Sequence, residues 1–348
     1  MELRTQSLST PSNWKRYTLV NDNGMEVTCL NYGGIITKIL APDQHNHFEN
    51  VVLGYKNEQD YLHNPNFFGA LIGRVAGRIQ NSTFSIDGTT YELDANEGPN
   101  HLHGGANGFD RVIWDVEPFE ESDKVGLTLT HTSPDGEGGY PGTVQVQVTY
   151  TLTNDNQLQI TYDAQSDKKT ALTLTNHSYF NLSGDLKQDI LHHDVTIDSS
   201  HVVELDDTLI PTGNKLEVEG TVFDFRNGRQ LKDGVSSSHP QNQYAGNGYD
   251  HNFIFDKYKQ HDIVVRDETS GRQLTVDTEQ PGFVMYTSNN LDESLQLSEG
   301  VSKKYLGVCL ETQGSPASLE HQGFPSIVLD KDQPYRYTTT FTFGVIEK

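Results

Sequence analysis

Thr143-Val-Gln-Val-Gln-Val-Thr-Tyr-Thr-Leu152 alternates without interruption. Val144, Val146, Val148, Tyr150 and Leu152 fall on one face of an extended chain, and threonine or glutamine falls on the other. A period of two over ten residues predicts a half-buried strand. Asn154-Asp-Asn156 follows as a turn signal and Leu158-Gln-Ile-Thr-Tyr162 alternates again, so the segment predicts an antiparallel hairpin. The same reading gives strands at Val125 to His131, Val195 to Asp198, Tyr305 to Glu311 and Tyr335 to Val345, and in the last of these Tyr335, Tyr337, Phe341 and Phe343 share a face. Helical periodicity is weak, while Asp87-Gly88, Pro134-Asp-Gly136 and Asn227-Gly228 are turn signals between short strands. The expectation is an all-β fold, a large antiparallel β-sandwich. No linker composition and no fixed-period repeat divides the chain, so residues 1–348 are read as one domain.

Composition narrows the partners. The chain carries 25 Lys plus Arg against 48 Asp plus Glu, a formal charge of −23. That charge opposes a polyanion, which makes nucleic acid and anionic membranes poor partners. Cys29 and Cys309, far apart in sequence, are expected to be free thiols in a reducing compartment. The first ten residues lack the apolar core of a signal peptide and no apolar run reaches membrane length, so the expected location is cytoplasmic. Ser133-Pro-Asp-Gly-Glu-Gly-Gly-Tyr-Pro-Gly142 is rich in glycine, but it feeds a strand and lacks the Gly-Lys-Ser/Thr ending of a phosphate loop. It is read as a turn.

Chemistry concentrates where alternation stops. In Leu172-Thr-Leu-Thr-Asn-His-Ser178, Leu172 and Leu174 share one face while Thr173, Thr175 and His177 share the other. In Tyr305-Leu-Gly-Val-Cys-Leu-Glu311, Leu306, Val308 and Leu310 form the apolar face; Glu311 projects opposite, beside Gly307 and Cys309, whose small size would leave space for a ligand. A surface glutamate at a strand end is the bland alternative. In Asn100-His-Leu-His-Gly-Gly105, His101 and His103 form a His-x-His pair, but the glutamate that completes such metal sites is missing downstream. Hydrogen-bonding histidines and no metal are expected, with Gly104 and Gly105 allowing close backbone approach to a ligand or simply making a turn. Arg74 and Arg78 could fork onto a sugar or onto a protein carboxylate, an ion pair being the simpler reading for Arg74. His192-His193 is read as surface, and Asp250, ahead of an apolar strand, as either a site residue or a turn cap.

Together these segments resemble the galactose mutarotases, or aldose 1-epimerases. The resemblance rests on Val52-Leu-Gly-Tyr55, Gly73-Arg-Val-Ala-Gly-Arg-Ile79, Leu102-His-Gly-Gly105, Ser133-Pro-Asp-Gly136, Thr175-Asn-His-Ser-Tyr-Phe-Asn-Leu182, Leu209-Ile-Pro-Thr-Gly213, Tyr249-Asp-His-Asn-Phe253 and Leu310-Glu-Thr-Gln313. Their joint order, across nearly the whole chain, makes the resemblance specific. It implies a galactose mutarotase-like supersandwich that interconverts the α and β anomers of an aldose such as D-galactose or D-glucose. By the same resemblance Glu311 is the general base and His177 the general acid, while Arg78, His103 and Asp250 hold the sugar. No cofactor is implied, the partner is a monosaccharide, and the protein is a monomer or homodimer. Gly77 departs from members with Asn at that position, which removes one possible sugar hydrogen bond. A base and an acid near neutral pH require an ionised Glu311 and a protonated His177, and Asp250 is the expected neighbour that keeps His177 charged. The competing readings are glycoside hydrolysis by Asp250 and Glu311, a noncatalytic sugar-binding module and an epimerase for hexose 6-phosphates.

Overall fold

The computed structural model describes residues 1–9, 11, 13–256 and 262–347. The predicted hairpin is present, with Val144–Thr153 pairing antiparallel to Gln157–Ser166 so that Val148 faces Tyr162 and Tyr150 faces Ile160. Burial alternates along both strands as the pattern requires. Asn156, at φ 55°, closes the three-residue loop, a left-handed position that asparagine tolerates.

Three antiparallel sheets make up most of the molecule. Glu2–Ser7, Lys15–Val20, Glu26–Leu30, Ile36–Pro42 and Phe48–Asn50 form a five-stranded meander. A nine-stranded sheet runs from Asp115–Glu120 through Lys124–Ser133 and the hairpin to Tyr335–Val345, then Arg272–Thr278, Ile263–Asp267, Asp194–Ile197 and Arg229–Gln230. The C-terminal strand thus lies in the middle of the sheet. A six-stranded sheet takes the order Tyr179–Phe180, Val308–Thr312, Gly282–Tyr286, Asp250–Ile254, His201–Leu205, Pro211–Glu217. Among the described residues the α-helices are Lys232–Val235 and Pro240–Tyr244, one turn each.

One apolar cluster joins the sheets, with Leu19 and Val27 from the first, Val148 and Phe341 from the second and Phe253 and Leu310 from the third. Burying such side chains supplies about 1.5–3 kcal/mol each. Arg272, buried, adds polar ties: it donates to the carbonyls of Ala41 and Leu182 and pairs with Glu49 at 2.9 Å. Cys29 and Cys309 are both free and buried.

Three expectations need correction. The strand expected from Tyr305 begins only at Val308, because Tyr305 turns at φ 59°. Gly307 leaves no room for a ligand, since a Cβ there would stand 2.8 Å from that of Tyr179 and 2.9 Å from Leu53. His193 is buried, and its Nε2 accepts from the Leu182 amide at 2.9 Å; of the pair only His192 is exposed.

Candidate active site

The six-stranded sheet supplies the floor of a cleft. Asp250 pairs with Tyr286, which pairs with Cys309; one row along, Asn252 pairs with Val284, which pairs with Glu311. Directly paired residues point to the same side, so Asp250, Asn252, Tyr286 and Glu311 rise together from three adjacent strands. They line one cleft.

His177 enters from the side. The chain pairs briefly at Thr175–Asn176 and again at Tyr179–Phe180, and His177 sits in the gap between. Its backbone is held by Ala70 and Gly69, and the Asn176 side chain bridges the gap by donating to Gly69 and accepting from the Ser178 amide and hydroxyl. Leu172 and Leu174 face the core, as parity requires. His177 Nε2 lies 3.5 Å from Glu311 Oε1, and its Nδ1 lies 3.6 Å from Cys309 Sγ.

His103 completes the wall at φ 52°, its Nδ1 accepting from the Gly77 amide at 3.1 Å. Gly77 itself, at φ +91°, has no room for a side chain, since a Cβ would meet Pro316 at 2.9 Å. Phe67, also at positive φ, sets its ring 4.8 Å from that of His103 and 5.8 Å from that of His177. Gly104 serves the backbone and not a ligand, for a Cβ there would lie 1.9 Å from Gly73 O. Arg78 lies between two carboxylates, forked by Glu97 at 2.7 and 2.9 Å and 3.5 Å from Asp250.

Arg74, His101 and the remaining sequence candidates stand apart from this group. Among the described residues Arg74 makes no ion pair; its guanidinium donates to Ser133 Oγ and to the carbonyls of Ser133, Pro134 and Pro141. His101 bonds to Asp94 O and Tyr140 Oη, away from His103. Asn252, Tyr286 and Gln313 line the cleft, and sequence reasoning passed them over. Asn252 and Gln313 share the parity of Asp250 and Glu311, so period two could have found them. Phe67 and Glu97 carry no such signal.

Burial dominates the electrostatics. It pushes Glu311 well above the ordinary carboxylate range, with Asp250 adding to the rise and Arg78 opposing it. It pulls His177 down to about 4 and His103 well below its usual value. Asp250 is raised by burial, Arg78 working the other way. The carboxylate expected to keep His177 charged is therefore misassigned: Asp250 acts on Glu311, and the carboxylate beside His177 is Glu311 itself. Asn252 Nδ2, Glu311 Oε2 and Gln313 Oε1 have no hydrogen-bond partner among the described residues. A donor and two acceptors thus face the cleft, a set suited to hydroxyl groups.

His103, His177 and Glu311 also bring one donor atom each within 4.8 Å of one another, so a divalent cation deserves a test. His103 fails it. Its Nδ1 lone pair already accepts from Gly77, so in the neutral ring Nε2 carries the proton and neither nitrogen can ligate.

The comparisons with known proteins agree with this geometry. A family model described as Aldose 1-epimerase matches residues 15–342. The chain is 40% identical over 334 residues to the galactose mutarotase of Sus scrofa, covering 95% of this chain and 94% of that one. It is 33% identical over 330 residues to the maltose epimerase of Levilactobacillus brevis, covering 94% of each. The crystal structure of galactose 1-epimerase from Lactobacillus acidophilus NCFM is similar with a TM-score of 0.90 at 29% identity, covering 100% of both chains. A match that spans residues 15–342, on this fold, means that the chain belongs to the aldose 1-epimerase family and is an isomerase.

Proposed function

We propose that this protein interconverts the α and β anomers of D-galactose and D-glucose, with Glu311 as general base, His177 as general acid, and Arg78, His103 and Asp250 holding the sugar. The approach of Glu311 Oε1 to His177 Nε2 at 3.5 Å carries the reading. O1 and O5 of a pyranose are bonded to one carbon, so a base for one and an acid for the other must be neighbours. Glu311 takes the proton of the O1 hydroxyl while His177 delivers one to O5. The C1–O5 bond breaks as C1=O1 forms, the aldehyde turns about C1–C2, and the steps reverse on its other face. One proton leaves His177 and one arrives on Glu311, so charge and atoms balance. Each group supplies about 10²–10⁴ in rate.

Burial raises the cost of the starting state of this reading and lowers that of its open-chain state. The pair begins as carboxylate and imidazolium and ends, at the open chain, as carboxylic acid and neutral imidazole, the state that a desolvated site favours. The same shifts favour a second reading, in which Glu311 protonates O5 and His177 takes the O1 proton. A sugar complex distinguishes them, since Glu311 stands nearer O1 in the first and nearer O5 in the second. A hexose 6-phosphate is disfavoured. Arg78 is the one Lys or Arg among the described residues lining the cleft, and Glu97 already neutralises it.

The five residues come from one chain, and the shared apolar cluster supports treating residues 1–348 as one catalytic unit. Polarimetry of freshly dissolved α-D-galactose and α-D-glucose tests the activity. Accelerated decay of rotation is expected for both sugars; binding without acceleration would mark a sugar-binding module, and release of new reducing ends from glycosides a hydrolase.

A further inference from the structure

We propose that Glu97 is a positioning residue for sugar binding: by forking one edge of Arg78 it keeps the guanidinium at the far limit of hydrogen-bond reach from Asp250 and turns the opposite edge to the cleft. The inference rests on the reading above that Arg78 and Asp250 bind the sugar. Glu97 Oε2 accepts from Arg78 Nε at 2.7 Å and Oε1 from Nη2 at 2.9 Å, while Asp250 Oδ2 lies at 3.5 Å from Nη1. Both carboxylates compete for one planar cation. The short bidentate contact wins, and it leaves N–H groups on Nη1 and Nη2 for oxygens spaced like those of two neighbouring sugar hydroxyls.

Glu97 reaches Arg78 from outside the cleft and is not among the residues that line it. Its side chain is 36% exposed against 19% for Arg78. Its backbone is fixed by reciprocal bonds with Asn100 across Gly98-Pro99, and Asn96 clamps the same turn through both the amide and the carbonyl of Leu102. Leu102 in turn pairs with Arg78. One small β unit therefore carries both ends of the fork, so the guanidinium is aimed before any sugar arrives. Without Glu97, Arg78 closes on Asp250 and each occupies a group that the other leaves free for the sugar.

Glu97→Gln keeps one acceptor oxygen in place of two and loses the charge, so the fork is broken. It is expected to raise KM for galactose about tenfold, within the range for residues sharing one ion-pair network, with kcat changed less than about twofold. Glu97→Asp, still a carboxylate, is expected to recover part of the loss. Lysine has no fork, so in an Arg78→Lys background Glu97→Gln is expected to add nothing further. An unchanged KM in Glu97→Gln would overturn the proposal. So would an equal rise in the Arg78→Lys background, which would mark a merely structural role. If Arg78→Lys by itself left KM unaltered, the sugar-binding reading of the site would fall, a result distinct from a silent Glu97→Gln beside a damaged Arg78→Lys.

Discussion

Glu311 is pushed up and His177 down to about 4 by the same burial, so between the two titrations the pair holds one proton. This fixes the limbs of the pH profile. As pH falls through the lower value the pair gains a second proton, and the loss belongs chiefly to His177. As pH rises through the upper value the pair loses its last proton, and that loss belongs chiefly to Glu311. The assignment holds whichever group is the base, and it reverses the expectation from unperturbed values, in which histidine sets the alkaline limb. In His177→Asn the acid limb of kcat/KM should vanish or move while the alkaline limb survives; in Glu311→Gln the alkaline limb should go. Both variants should lose about 10²–10⁴ in kcat and keep the wild-type circular dichroism. A nearly fully active Glu311→Gln would remove that residue from the chemistry. EDTA should leave activity unchanged, because His103 has no free lone pair for a metal; activity lost to the chelator and restored by a divalent cation would refute that tautomer. Strand parity sets the direction of Glu311 and His177, but their separation depends on strand register, which no local pattern encodes.

Strands with clean alternation could be read from the sequence, and His177 and Glu311, at breaks in alternation, line the candidate cleft. Tyr335–Val345 was expected with the bounds it has, and Val144–Thr153 lies within one residue of expectation. The errors fall where backbone conformation departs from extended without a glycine to announce it, at Tyr305, His103 and Phe67, all with positive φ. Gly104 is the complementary case, a glycine whose purpose is visible only in three dimensions. Gly104→Ala adds a Cβ 1.9 Å from Gly73 O at φ +88°. The left-handed backbone alone costs about 1–2 kcal/mol, and the clash adds to it. Thermal unfolding should show Tm lowered by at least about 2 °C, and KM should rise because His103 precedes the displaced residue. A variant with unchanged Tm and KM would show that the turn relaxes without moving the wall.

At the scale of the molecule, the all-β class follows from local alternation, but the order of strands does not. Tyr335–Val345 lies between Gln157–Ser166 and Arg272–Thr278, pairings that join distant parts of the chain and leave no periodic trace. Buried polar ties between sheets were equally hidden, and His193 is the clearest. Its Nε2 accepts from Leu182, just beyond the six-stranded sheet's Tyr179–Phe180, while its Nδ1 lies 4.0 Å from Asp267, on a strand of the nine-stranded sheet. Burial lowers its pKa to about 4, the carboxylates of Asp267 and Asp189 pulling the other way. An unfolded histidine titrates near 6.5. Between pH 7 and pH 5 the unfolded chain therefore takes up a proton at this site that the folded chain refuses, so the contribution is present above about 6.5 and is lost as pH falls toward 4. Over those two pH units it amounts to about 2 kcal/mol. His193→Gln keeps an acceptor for the Leu182 amide and has nothing to titrate. Urea unfolding of both proteins at pH 7 and pH 5 should show the variant losing about 2 kcal/mol less on acidification than the wild type. Equal losses would mean that His193 is charged in the fold, paired with Asp267.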